Sequence, residues 1–89
     1  MNPIKVVKRD GVKEPFDPAK ITQVVNAAGL DFAQAQIVSD RVVAWVKKQK
    51  VPEISSLQIR DQITVVLETV DKQVANFFRW YQKTKDKPQ

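Results

Sequence analysis

Asp10-Gly11 lies between two β-favouring runs, Ile4–Lys8 (IKVVK) and Val12–Phe16 (VKEPF), and this placement commits the start of the chain to a reversal. Asp-Gly makes tight turns because both residues can adopt positive φ. Residues 4–16 therefore read as a β-hairpin with Arg9-Asp10-Gly11 at its tip. Pro15, close to the end of the second run, suits an edge strand or a strand's exit. Asp17-Pro18 follows at once and opens a helix, with Asp17 as N-cap and Pro18 at the first helical position.

Past that point the apolar pattern is helical. Ile21, Val24, Val25 and Ala28 recur at i, i+3, i+4 and i+7, and Gly29 supplies a stop. A second helix starts around Asp31, with Phe32, Ala35, Val38, Val42, Trp45 and Val46 as its apolar stripe. Lys47, Lys48 and Lys50 crowd its end, where cations complement the macrodipole, and Pro52 closes it. Ser55-Ser56-Leu57-Gln58 begins a third helix with a Ser-x-x-Gln capping box, and Ile54 and Ile59 are spaced as its hydrophobic staple. Its core face is Ile59, Ile63, Val66, Leu67 and Val70. A break near Asp71 separates a fourth helix, in which Phe77, Phe78 and Tyr81 share a core face with Val74 while Trp80 lies off it. The expected fold is α+β and mostly α: an N-terminal β-hairpin packed on a four-helix bundle. Residues 1–84 form one domain and residues 85–89 a polar tail or linker.

Composition narrows the chemistry. The chain has 89 residues, too few for two domains, with no Cys and no His. Disulfides, thiolate zinc sites and cysteine nucleophiles are excluded, and the commonest general base is missing. An enzyme is not expected. Neither a membrane span nor a signal-peptide core is visible, so the expected setting is cytoplasmic. The formal charge of +5 calls for an anionic partner without choosing one.

One cation breaks a local rule. Lys20 stands at N3 of the first helix, where a capping box places Glu or Gln and the dipole disfavours positive charge. A bound anion would resolve the conflict, held by backbone N–H groups of the helix start, by Lys20, and by Lys8 and Arg9 one strand away. Strict alternation sends Lys8 and Arg9 to opposite faces, so both reach one anion only if Arg9 already belongs to the turn. Spacing alone leaves two readings open, a phosphate site and a solvated basic hairpin.

The run Val6-Val7-Lys8-Arg9-Asp10-Gly11, followed by Glu14-Pro15-Phe16-Asp17 and Lys20-Ile21, resembles the signature of the ATP-cone. That module occurs mainly at the N-terminus of ribonucleotide reductases and in a bacterial repressor of their genes. The resemblance continues through the Ser-led third helix to the segment from Val74 to Tyr81. It implies ATP or dATP bound between hairpin and helices, with Mg²⁺ as a candidate companion of the phosphates. By position it implies Lys8, Arg9 and Lys20 on the phosphates, Glu14 and Asp17 toward base or sugar, and Phe16 and Ile21 as apolar walls. It also implies a phosphate contact from Ser56 and a place for Arg60 near the sugar or phosphates. Family members often carry Tyr-Arg at the end of the last helix, where this chain has Tyr81-Gln82. Lys83 or Lys85 are candidate substitutes for that contact.

No zinc ribbon precedes the cone and no reductase barrel follows it. The expectation is therefore an excised regulatory domain or a free-standing cone, not the repressor. Its partners would be an adenine nucleotide and a reductase catalytic domain or subunit, with self-association as a further option, and ligand occupancy would alter domain packing or oligomerisation. The alternative is a basic nucleic-acid-binding domain, disfavoured because Glu14 and Asp17 sit among the cations. A nucleotide hydrolase ranks third, since a P-loop and a paired acid and base are both missing. Lys47, Lys48 and Lys50 read as a charged helix end, and Asp61 and Glu68 as surface residues.

Overall fold

The computed structural model describes residues 4–86, with side chains described as far as Gln82. The order is β1 (Lys5–Val7), β2 (Lys13–Pro15), α1 (Pro18–Ala27), α2 (Phe32–Lys48), β3 (Glu53–Ser55), α3 (Ser56–Val70) and α4 (Lys72–Asp86). α4 stays helical to Asp86, and the rest of the expected polar tail lies outside the described residues.

The hairpin forms around a three-residue tip. Lys8 N–H donates to the Val12 carbonyl at 2.8 Å and Gly11 N–H to the Lys8 carbonyl at 2.9 Å. Only Gly11 takes positive φ in this turn, at +88°. Asp10 contributes differently from expectation: its carboxylate accepts the Val12 N–H at 3.0 Å, an Asx-type contact that closes the tip without a left-handed Asp.

Sequence patterning missed β3. Glu53–Ser55 pairs in parallel with β1, in the register Lys5–Glu53, Val6–Ile54 and Val7–Ser55, to give a three-stranded sheet of order β2-β1-β3. The strand is three residues long and runs straight into α3. Ser55 and Ile54 also perform the capping expected of them. Gln58 N–H donates to Ser55 Oγ at 3.1 Å and Ser55 N–H to Gln58 Oε1 at 3.2 Å, while Ile54 and Ile59 are both buried.

Each helix end has a local cause. Asp17 caps α1 through the Ala19 N–H and Asp31 caps α2 through the Gln34 N–H. The end of α1 is a Schellman arrangement, with Leu30 N–H on the Val25 carbonyl, Gly29 N–H on the Asn26 carbonyl, and Gly29 at φ +127°. Asp71 breaks α3 from α4 as expected, and its carboxylate then caps the new helix through the Gln73 N–H at 2.9 Å.

Ile21, Val25, Ala35, Val38, Val42, Val46, Ile63, Leu67 and Phe78 anchor one core to which every helix contributes. Two expectations about that core fail. Phe32, at the first helical position of α2, is 70% exposed: it lies beside Ala19, Thr22, Gln23 and Asn26 on the solvent side of α1 and not on the core face. Phe77 and Tyr81 are each close to half exposed, and of the three aromatics assigned to the core face only Phe78 is buried. Adjacent helical positions are about 100° apart, so α3 covers Phe78 and leaves Phe77 to stack in a tilted pair with exposed Trp80, centroids 5.9 Å apart. Trp45 is partly buried against the core.

Candidate functional site

The inner face of the sheet carries Val6, Glu14 and Ile54, and it meets the start of α1 and the start of α3. Between them lies a cleft of about 290 Å³ lined by Glu14, Phe16, Asp17, Lys20, Ile21 and Ser56 among others. A second cavity of about 260 Å³ is lined by Lys8, Arg9, Ser56, Leu57, Arg60, Phe78 and Gln82. The two share Val24, Ser56, Ile59 and Ile63, so they form one trough with a common apolar floor. Each alone is near the lower end of the ~300–1,000 Å³ of small-molecule sites, and together they fall within it.

Every candidate residue lines this trough. Phe16, Ile21, Glu14, Asp17 and Lys20 stand at one end, Lys8, Arg9 and Arg60 at the other, and Ser56 on the shared floor. The conflict over Lys8 and Arg9 resolves by the open route: β1 ends at Val7, and Arg9 belongs to the turn, so alternation no longer separates them. The floor itself was not anticipated as part of the site. Val24, Ile59 and Ile63 were legible as helical core positions, but periodicity does not show where a core face opens to solvent. Gln82 lines the second cavity, at the position where the resemblance expects Arg. The candidate substitutes Lys83 and Lys85 lie outside the described side chains.

The electrostatics are particular. Glu14 bridges both lysines of the trough, with Oε1 at 3.2 Å from Lys8 Nζ and Oε2 at 3.5 Å from Lys20 Nζ. The hydrogen bond from Lys8, then the charge of Lys20, hold its carboxyl below the usual carboxylate range. The register explains the contact: Val6 pairs with Glu14, which puts Lys8 on the same face, diagonal to the carboxylate.

The backbone contribution at α1 differs from expectation. Pro18 has no N–H, the Ala19 N–H is taken by the Asp17 carboxylate at 3.0 Å, and the Lys20 N–H bonds the Asp17 carbonyl at 3.1 Å. The donors expected to greet an anion are already engaged, so recognition at this end falls to side chains. The positive ends of the α1 and α3 dipoles still converge on the trough and favour negative charge there. Ser39, buried on α2, fixes the position of α1 by donating from Oγ to the Pro18 carbonyl at 3.1 Å.

A trough of this kind, cationic at its rim, apolar on its floor and met by two helix N-termini, defines a binding module for an anionic ligand with an apolar part. The chain belongs to the ATP cone domain family, a family of nucleotide-binding modules whose model matches residues 4–87. Curated relatives include a protein named transcriptional repressor NrdR from Dictyoglomus thermophilum, 32% identical over 73 residues, covering 78% of this chain and 49% of that protein. NrdR from Lactobacillus acidophilus is 40% identical over 73 residues, with 78% of this chain and 47% of its own length aligned. NrdR from Bdellovibrio bacteriovorus is 31% identical over 70 residues, 74% of this chain and 36% of its length. The chain spans about half the length of the first two of these relatives.

These relatives correct two expectations. They are named as transcriptional repressors, proteins that act on genes, so nucleic acid is not a disfavoured partner. Glu14 and Asp17, the carboxylates that weigh against it in the sequence, are local to the trough and carry no information about any other surface. The relatives aligned here also carry the repressor's name, which runs against the expectation that set the repressor aside. Among the described residues, no helix is long and apolar enough to cross a membrane.

Proposed function

We propose that this chain is the adenine-nucleotide-sensing module of a transcriptional-repressor system, taking ATP or dATP into the trough and passing occupancy on to a gene-regulatory assembly in the cytoplasm. The observation that carries this reading is the convergence of Lys8, Arg9, Lys20, Arg60 and Ser56 around an apolar floor closed by Phe16 and Ile21. The cationic rim suits a polyphosphate, and the apolar part suits a base and sugar. Mg²⁺ in this proposal arrives on the phosphates, since no cluster of metal-ligating side chains is present among the described residues. The link to ribonucleotide reductase then runs through control of genes and not through contact with the enzyme. For occupancy to act as a signal, the ligand must favour one packing of the module against its neighbours over another, because equal affinity for both states shifts nothing.

Isothermal titration calorimetry of the chain with ATP, dATP and GTP tests the reading. Saturable binding selective for adenine, weakened at least tenfold by Lys8→Ala and by Lys20→Ala, is the expected result. A folded chain that binds none of the three would refute it. DNA binding that falls steeply with salt and ignores the nucleotide would favour a directly nucleic-acid-binding module.

A further inference from the structure

We propose that Glu14 is a displaceable internal counter-ion: in the empty trough its carboxylate stands where a ligand phosphate would, between Lys8 and Lys20, and a polyphosphate enters by exchanging with it. The inference rests on the nucleotide reading above and goes beyond it by giving Glu14 an inhibitory role in place of a contact to base or sugar.

The geometry supports the exchange. One oxygen of Glu14 takes the Lys8 ammonium at 3.2 Å and the other takes Lys20 at 3.5 Å, so a single carboxylate engages both lysines assigned to phosphate. The two lysines come from different elements, the end of β1 and the first turn of α1, and Glu14 is the residue that joins them. Asp17 is the other carboxylate of the same cavity, and its Oδ1 caps α1 by accepting the Ala19 N–H. α3 brings Ser56, Ile59 and Ile63 to this cavity and no charge. The Glu14 side chain is one-third exposed, and the lysines are at least half exposed, which leaves both partners mobile enough to part. A triphosphate offers more oxygens and more negative charge than a carboxylate, so it outcompetes Glu14 for the ammonium groups and repels it. With Glu14 in place the lysines are held close to the trough, and the empty site avoids an uncompensated cluster of cations.

The test is calorimetric titration of the wild-type chain and of Glu14→Gln with ATP and with inorganic tripolyphosphate, both at fixed ionic strength. Glutamine keeps the size and loses the charge. The expected result is tighter binding of both ligands by Glu14→Gln, roughly two- to thirty-fold, the range set by relieving two exposed ion pairs. Wild-type binding of ATP that the substitution leaves unchanged overturns the counter-ion role and leaves the nucleotide reading standing. Weaker binding by Glu14→Gln also overturns it, and shows that the carboxylate contacts the ligand favourably. If neither form binds ATP or tripolyphosphate, both the nucleotide reading and the counter-ion role fall. Carboxyl ¹³C NMR supplies an independent reading: saturation with tripolyphosphate should raise the Glu14 titration midpoint, and an unmoved midpoint in the saturated protein contradicts exchange.

Discussion

Lys20 is the residue at which local rules and global structure disagree most openly. A cation at N3 works against the helix dipole, and the structure answers the conflict with Glu14 from the neighbouring strand. The misplacement was legible in the sequence; its remedy was not, because the Val6–Glu14 register that aims the carboxylate is a property of the folded hairpin. The Glu14 carboxyl is held low by the Lys8 hydrogen bond first and the Lys20 charge second, so Lys8→Ala should return its titration midpoint toward the ordinary carboxylate value more fully than Lys20→Ala. Carboxyl NMR of the two variants checks the order. A depressed folded-state value also fixes a sign. The stabilisation is present above the unfolded-state value and is lost as pH falls through the lowered folded one. Urea melts should therefore show wild type losing stability over that acid range more steeply than Glu14→Gln.

At the scale of elements, what could be read beforehand was what is encoded within a few residues. Asp17, Asp31 and the Ser55–Gln58 pair start helices where their side chains find nearby N–H groups, and Gly29 ends one where positive φ is required. β3 escaped because its reason for being a strand, β1, lies far away in sequence, and three residues hold too little pattern to announce it. Phe32 and Phe77 escaped for a related reason: periodicity gathers apolar side chains on one side of a helix but does not show which of them a neighbouring helix buries. Ser55→Ala removes the cap of α3 and should lower stability by ~0.5–2 kcal/mol in denaturant titrations. Gly29→Ala should lower it by ~1–3 kcal/mol through backbone strain alone. The added Cβ would meet Val74 Cγ2 at an ordinary 3.5 Å, so packing is not the cause.

For the whole molecule, the aromatic residues of α4 separate support from surface. Phe78 is 2% exposed in the common core, and Phe78→Ala should cost ~3–5 kcal/mol, a large share of the stability of so small a domain. Trp80→Ala, on the outer side of the same helix, removes the tilted pair with Phe77 and should change stability by no more than ~1.5 kcal/mol in the same thermal or chemical melt. A large loss from Trp80→Ala would place that ring in the core and contradict the packing described.

The parallel pairing of β1 with β3 also has a consequence in time. As the chain leaves the ribosome, the hairpin and α1 emerge first, carrying Lys8, Arg9, Glu14 and Lys20, while the strand beside them and the floor at Ile59 and Ile63 are still being made. A nascent chain stopped before α3 would display the charged rim without the trough. The site comes into being late in synthesis, when Ile54 docks beside Val6 and draws the start of α3 under residues translated long before it.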